Sequence, residues 1–590
     1  MKSKTTYLKE ILYLLGKDKI KLPWMIFLFL CASLIDVIGI GLIGPYVSLI
    51  MNISSDNSQV ITRFIESTGI LLSENELLTA SSVVLISVFL IKGVVGVLIF
   101  KMIIAFSYKR MVRIRLKLMS EYQSMSYEEY IARNSAEYIY AIQDLVSTFT
   151  GKVLRTGLKA ISDIIVTISI VLVLAWKDIE LLSILLLTVI LSAVVYDRTI
   201  SKRIQSYGKK ANEASTRMIQ GVSEGILGFK EIRVLNKSHY FNKLIGLESS
   251  NYSKNLLKTD ILTIIPRHLI EFIVIAFLAI MVITEVLSGG NISEIVPTLA
   301  MFALASVKLI PSINSISTGI LQLHTHRHTV AVLYEDFKKN RNIKEKKQII
   351  KNNVEFTSFE LSSIQYKYPS SKDFAIEEIT FSIKRGEIIG VIGKSGSGKT
   401  TLVDVILGLL PPSGGEITLN DKVINNSMRI WQDMVAYIPQ EVFVTDNTLR
   451  NNIALGEEVN NINQVKIDES ILRSKLKSIV EKLPNKENTR LGENGISLSG
   501  GQKQRVSLAR AIYHNREVLV MDEATSSLDE ATEKEVVSEI KRLKGGITML
   551  VVAHRYNTLK YCDRIYRLDD GHIVQELTYE ELMADEESAK

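Results

Sequence analysis

Cysteine is almost absent. The 590 residues include two, Cys31 inside an apolar run and Cys562 near the end. Two cysteines so placed build neither a disulfide framework nor a cysteine-ligated metal cluster. Nor is a cleavable leader expected: MKSKTTYLKEILYLLGKDKIK has no small-residue cleavage site ahead of the first long apolar run. Residues 1–20 read instead as an N-terminal interfacial helix, with Tyr7–Leu15 as its amphipathic part. A strong excess of charge is lacking too. The 70 basic and 63 acidic residues leave +7, modest for this length, so no nucleic-acid partner is expected. Basic loops on the inner side of a membrane account for that charge.

Apolar residues make up 47% of the chain, and the long apolar runs fall within residues 1–320. Six candidate spans lie near 22–51, 78–106, 157–177, 179–200, 260–287 and 292–318. Each has roughly 20 or more mostly apolar residues, enough to cross about 30 Å of hydrocarbon. Only Lys177 and Asp178 separate the third from the fourth, which makes them a tight hairpin. Lys109, Arg110, Arg113, Arg115 and Lys117 follow span two, and Arg198, Lys202, Arg203, Lys209 and Lys210 follow span four. Connection 52–77 holds Arg63 as its single basic residue, and the turn near 288–291 holds none. Basic loops stay inside, so both termini and the two long loops are expected in the cytoplasm. The long loops keep helical apolar spacing, so the membrane helices should run on below the bilayer. Residues 228–241 should form a short helix at the bottom of the second loop. The boundaries drawn are 21–335 for the transmembrane domain, 336–353 for a basic linker and 354–590 for a soluble domain.

The soluble domain carries nucleotide chemistry. The strand-like run EIIGVIG (387–393) leads into GKSGSGKT (393–400), a phosphate-binding P-loop. Gly393, Lys394, Ser395, Gly396, Ser397 and Gly398 let the backbone wrap phosphates, and the following helix presents its N-terminal amides. Lys399 reaches the β- and γ-phosphates, Thr400 holds Mg²⁺, and Thr401 beside it is counted among the nucleotide-binding residues. VLVMDE (518–523) reads as a buried strand ending in Asp522, placed for the Mg²⁺ shell, and Glu523, placed to polarise the attacking water. Gln440, in YIPQ, can reach metal and water from a loop. His554 follows another buried strand and can touch the γ-phosphate, although a histidine so placed is more often structural. Tyr368 is a candidate to stack on adenine; the alternative is a half-buried strand tyrosine.

LSGGQ follows at 498–502. With the P-loop, Gln440, Glu523, SSLD (526–529) and His554 in this order, the chain resembles the ATP-binding cassette (ABC) transporters over nearly its whole length. The resemblance implies six transmembrane helices of the exporter type followed by an α/β P-loop cassette. It implies ATP and Mg²⁺ as cofactors and ATP hydrolysis coupled to transport. It also implies that Ser499, Gly500, Gly501 and Gln502 close over nucleotide held by a second subunit. One cassette and six spans make half a transporter, so a homodimer with two composite sites is the simplest assembly, a heterodimer the alternative. Segment 228–241 resembles the exporters' second coupling helix, and TRLGENG (489–495) their X-loop.

Three cations sit inside apolar spans. At a rise of about 1.5 Å per residue, Arg267, Lys308 and Lys92 lie roughly 30, 24 and 21 Å below the outer surface. Each can snorkel to the inner surface; a ring of cations at one depth suits a phosphate or pyrophosphate headgroup. IIPRHLIE around Arg267, FALASVKLIPSINSI around Lys308 and SLIDVIGIGLIGPYVSLI in span one look like the PglK-type flippases of lipid-linked oligosaccharides. That type uses arginines facing the inner cavity, and Arg267 matches one. Lys92 and Lys308 depart from it as lysines, and Asp36 falls where the type has an acid. Residues 55–72 read as an amphipathic external helix, or as a plain loop helix packed on the spans.

The expected function is an ATP-driven flippase moving a polyprenyl-pyrophosphate-linked oligosaccharide from inner to outer leaflet of the bacterial inner membrane, in contact with membrane lipids. The alternatives are an exporter of a peptide or amphipathic drug, and a membrane ATPase that regulates another protein without moving a substrate. A cationic cavity argues against cationic drugs.

Overall fold

The computed structural model describes residues 4–51, 74–287, 289, 292–339, 355–369, 371–425, 428–492, 495, 498–523, 537–538, 541–542, 544–553 and 555–588. For a few residues inside helices, Arg267 among them, it describes the backbone alone. The expected external helix at 55–72, the SSLD segment, His554 and most of the linker lie outside the described residues. The chain forms two compact units, 1–124 with 134–344, and 125–133 with 345–590.

The first unit is helical. Its helices are α1 (Lys4–Leu15), α2 (Leu22–Gly41) and α3 (Ile43–Ile50), then α4 (Glu74–Gln123). After the short α5 (Tyr127–Ile131), which belongs to the second unit, come α6 (Arg155–Lys177), α7 (Ile179–Leu227), α8 (Phe229–Val234), α9 (Ser238–Leu287), α10 (Ile292–Thr325) and α11 (Arg327–Lys339). The 50 residues of α4 and of α9 reach roughly 75 Å each at 1.5 Å per residue, well beyond the hydrocarbon thickness. The spans therefore do continue as long helices outside the bilayer. Five described stretches are long and apolar enough to cross: Tyr7–Ile50, Asn75–Gln123, Glu137–Lys177, His268–Leu287 and Ile295–Leu323. The fourth expected span is represented by the shorter apolar stretch Ile179–Ser192 within α7.

Local chemistry explains the joints. Asp178 is extended, and its carboxylate accepts from the amide of Leu181 at 3.0 Å, capping α7 directly after α6 ends. Five spans share an apolar core: Ile40 of α2, Val166 of α6, Leu182 of α7, Ile270 of α9 and Phe302 of α10 are all buried in one cluster. The N-terminal helix packs on protein. Leu14 is buried with Ile114 of α4 and Leu333 of α11, and the Tyr7 hydroxyl donates to the carbonyl of Leu323 at 2.8 Å. Its apolar face is covered by protein, because the helices that extend past the bilayer offer it a partner.

The second unit has two sheets. The larger runs in the order β10 (His572–Leu577), β9 (Arg564–Asp569), β3 (Ile388–Gly393), β8 (Thr548–Val552), β7 (Val518–Asp522), β6 (Val435–Ile438), with β9, β3, β8, β7 and β6 mutually parallel. The smaller is antiparallel: β2 (Ile376–Lys384), β1 (Ser358–Tyr366), β4 (Gly414–Leu419), β5 (Lys422–Val423). Every residue of β7 and β8 is buried, as continuous apolar runs in parallel strands should be. Helix α12 (Lys399–Ile406) packs in the core between the sheets. A helical cluster with its own core carries α13 (Leu449–Ile453), α14 (Gln464–Arg473) and α15 (Gly500–Tyr513). Segment 125–133, placed by its sequence in the transmembrane domain, packs here instead: Tyr127 lies against the core that Tyr366 and Val403 help to form.

Candidate functional site

Strand β3 turns into the P-loop because glycine stands where no other residue fits. At Gly398, φ is +98°, and a Cβ would come within 2.7 Å of the Ala375 carbonyl. At Gly393 a Cβ would lie 2.4 Å from the Ser397 hydroxyl oxygen. The chain thus curls tightly and opens directly into α12. Lys399, 6% exposed, donates to the carbonyls of Gly393 and Lys394 at 2.9 and 2.8 Å. Burial pushes its pKa below the usual lysine value, while Glu523 and Asp522 pull the other way. The Ser397 hydroxyl is buried with no hydrogen-bond partner among the described residues. A donor unpaired among the described residues, an ammonium held on loop carbonyls and a helix N-terminus fit a polyphosphate.

The acids stand beside this cradle. Asp522 ends β7, and its Oδ2 accepts from the Tyr437 hydroxyl at 3.1 Å. Burial, with Asp522 second, raises the Tyr437 pKa. Glu523 follows in a left-handed conformation, φ +46°, with its amide donating to the Val552 carbonyl at 2.9 Å. A carboxylate held in left-handed backbone by the next strand is a sign of a constrained functional position. Asp404, on α12, has its carboxyl pushed up to about 6 by burial and then by Asp522. Tyr368 is half-buried, its hydroxyl 3.2 Å from Thr401 Oγ1 and its ring edge-on to Tyr366 at 5.0 Å. Gln440 lies in the loop after β6, and Thr400 is exposed in the first turn of α12.

The LSGGQ stretch forms the start of α15. Ser499 is its N-cap in a capping box: its hydroxyl accepts from the Gln502 amide at 3.4 Å, and Gln502 Oε1 accepts from the Ser499 amide at 3.1 Å. Ser499 and Gly500 are exposed, while Gly501 is buried.

The membrane unit brings two of the three intramembrane cations together. Lys92 of α4 lies 3.0 Å from Asp36 Oδ1, and Lys308 of α10 lies 3.4 Å from Asp36 Oδ2. The Asp36 side chain is 7% exposed, against 20% for Lys92 and 38% for Lys308. Arg267 lies on α9, and its side chain is outside the described residues. Its neighbours His268 and Glu271 stand 3.6 Å apart.

A family profile described as ABC transporter matches residues 376–526. The ATP-dependent lipid A-core flippase of Photorhabdus laumondii is 24% identical over 572 residues, 95% of this chain and 96% of that one. The flippase of the same name from Cupriavidus pinatubonensis is 36% identical over 223 residues, and this match spans only 38% of each chain. The heterocyst differentiation ATP-binding protein HepA of Nostoc is 26% identical over 453 residues, 75% of this chain and 72% of that one. Among solved structures, a bacterial Atm1-family ABC exporter with ATP bound superposes with a TM-score of 0.73 at 17% identity, covering 97% of this chain and 96% of that one.

The chain carries an ABC transporter domain over residues 376–526 and has the fold of ABC exporters along its length. Its cassette is the ATP hydrolase of that class, and it is a multi-pass membrane protein.

In this exporter, sequence reasoning missed a group of side chains that join the P-loop to the loop after α4. Tyr366, 1% exposed, donates its hydroxyl to the Glu128 carboxylate. Tyr127 and Tyr368 both pack against the core of the sheets. Tyr437 was missed as well. SYEEY (126–130) does carry a legible start signal, a serine three residues before Glu129, and Ser126 indeed caps α5. Nothing in its spacing says what α5 packs on.

Proposed function

We propose that the exporter is an ATP-driven flippase that moves a polyprenyl-pyrophosphate-linked oligosaccharide from the inner to the outer leaflet. The observation that supports this reading is the pair Lys92 and Lys308, which reach the same buried carboxylate from two different spans. Charges at that depth cost on the order of 3 kcal/mol each. They suit a site that receives an anionic headgroup, to which Arg267 on α9 adds a third cation. The relatives named lipid A-core flippases support lipid as the cargo class.

ATP hydrolysis drives the movement in a homodimer of the bacterial inner membrane, with cassettes and termini in the cytoplasm. Tyr368 stacks on adenine, and the amides of 394–400 with Lys399 hold the phosphates. Thr400, Gln440 and Asp522 hold Mg²⁺, which neutralises phosphate charge when bound. Glu523 takes a proton from the attacking water and His554 steadies the γ-phosphate. Ser499, Gly500, Gly501 and Gln502 of the second copy close the site; the exposure of Ser499 and Gly500 at the start of α15 supports this reading. Helix α8 is the second coupling element. Its flanks Leu227 and Val234 are 83% and 80% exposed, apolar surface that suits docking on a second copy.

The test is reconstitution in liposomes with fluorescent lipid-linked oligosaccharide. ATP-dependent movement of this lipid, above that of lipid A-core and of an amphipathic peptide, is the expected result. Preference for lipid A-core would replace the cargo. ATPase activity with no lipid or peptide moved would favour a regulatory ATPase.

A further inference from the structure

We propose that Asp36 is an internal counter-anion that the headgroup phosphate displaces: carboxylate and phosphate compete for the same two lysines. The inference rests on the anionic-lipid reading above and adds how the site binds and lets go.

The geometry has three parts. Asp36 supplies both oxygens, one to Lys92 at 3.0 Å and one to Lys308 at 3.4 Å. The carboxylate is buried, whereas both ammonium-bearing side chains are partly open, so an incoming anion meets the cations first. The cluster also keeps an excess of charge. Asp163 of α6 lies near Asp36 and Lys308, and Lys159, one helical turn before it, lies near Asp163, so the pair adds one charge of each sign. Three cations against two carboxylates leave one positive charge in an apolar surrounding, where an unbalanced charge is expensive. A phosphate relieves that excess. It carries more charge and more acceptor oxygens than a carboxylate, and so outcompetes it on arrival.

The choice of lysine follows. An arginine on Asp36 would form a planar, two-bond fork that is slow to trade. An ammonium on a flexible stem has three equivalent donors and can swing from one anion to the next. Asp36 then has a second task, because recapturing the lysines weakens the hold on the headgroup and promotes release. It therefore sets affinity below the maximum the cations alone would give.

The experiment measures binding to the full-length protein in detergent. The probes are farnesyl pyrophosphate, uncharged farnesol and inorganic pyrophosphate. Wild type should bind farnesyl pyrophosphate more tightly than farnesol, and Asp36→Asn should tighten that binding by about tenfold, the equivalent of roughly 1.4 kcal/mol. Equal or weaker binding in Asp36→Asn, with wild type still preferring the pyrophosphate, overturns the exchange and leaves the anionic-lipid reading standing. No preference for pyrophosphate over farnesol in either protein overturns both. Tightening for inorganic pyrophosphate alone supports the exchange and overturns the lipid as its source. Should Asp36→Asn not fold, wild type answers by labelling with dicyclohexylcarbodiimide, read by peptide mass at Asp36. Exchange frees the carboxyl, so farnesyl pyrophosphate should increase the labelling; unchanged or reduced labelling overturns the exchange.

Discussion

The buried hydroxyl of Tyr366 donates to the carboxylate of Glu128, 238 residues away in sequence. Tyr366 closes β1, stands edge-on to Tyr368 and shares the core of the sheets. Glu128 lies in α5, the short helix that follows α4 in sequence. One hydrogen bond and one ring contact therefore lie between the residue expected to stack on adenine and α5 of the same unit.

Tyr366→Phe keeps the ring and removes the donor, so the Glu128 carboxylate loses a charge-assisted bond of about 1.5–3 kcal/mol. ATP affinity should stay near wild type, while lipid moved per ATP hydrolysed falls several-fold. Glu128→Gln, which keeps an acceptor, should be milder. A transport-to-ATPase ratio equal to wild type in both variants would show that this bond carries no coupling.

Glu523→Gln should bind ATP normally and lose about a hundredfold or more of its turnover, the usual range for removing a general base. Its backbone is fixed by the amide bond to Val552, so the isosteric change should leave the fold alone. Steady-state ATPase assays and nucleotide binding on the same preparation separate the two effects. Turnover within a few-fold of wild type would assign the water to another group.

Ser499→Ala should impair hydrolysis through the neighbouring subunit. It also removes the cap of α15, at a cost of about 1 kcal/mol, so melting temperature is measured alongside. With Ser499→Ala and Lys399→Ala on one chain and a wild-type partner, both composite sites fail. With the two changes on different chains, one site survives. Equal activity in the two arrangements would contradict sites shared between copies.

Arg267→Ala should reduce lipid flipping more than basal ATPase, because the change leaves the P-loop intact. Arg267→Lys should retain part of the flipping, since the charge survives and the planar fork does not. Flipping at the wild-type rate in Arg267→Ala proteoliposomes would mean that the arginine merely snorkels. Joint loss of ATPase and stability would make it a structural partner of a nearby acid such as Glu271.

The chemistry of the cassette was legible in order and spacing alone. GKSGSGKT, VLVMDE and LSGGQ are local signals: each works through backbone conformation and neighbours a few residues away, so the residue types fix the shape. The spans were legible for the same reason, since hydrocarbon thickness sets helix length. Charge pairing was not. That Lys92 and Lys308 both meet Asp36 depends on how α2, α4 and α10 rotate against one another, and a run of apolar residues leaves helix rotation open. The place of 125–133 was hidden likewise, because a capped five-residue helix carries no mark of its partner. Sequence by itself determined that the chain carries an ABC cassette and which segments are long and apolar enough to cross a membrane. Only the tertiary structure decided which charges neutralise one another and which loop joins the cassette, because both depend on contacts between residues far apart along the chain.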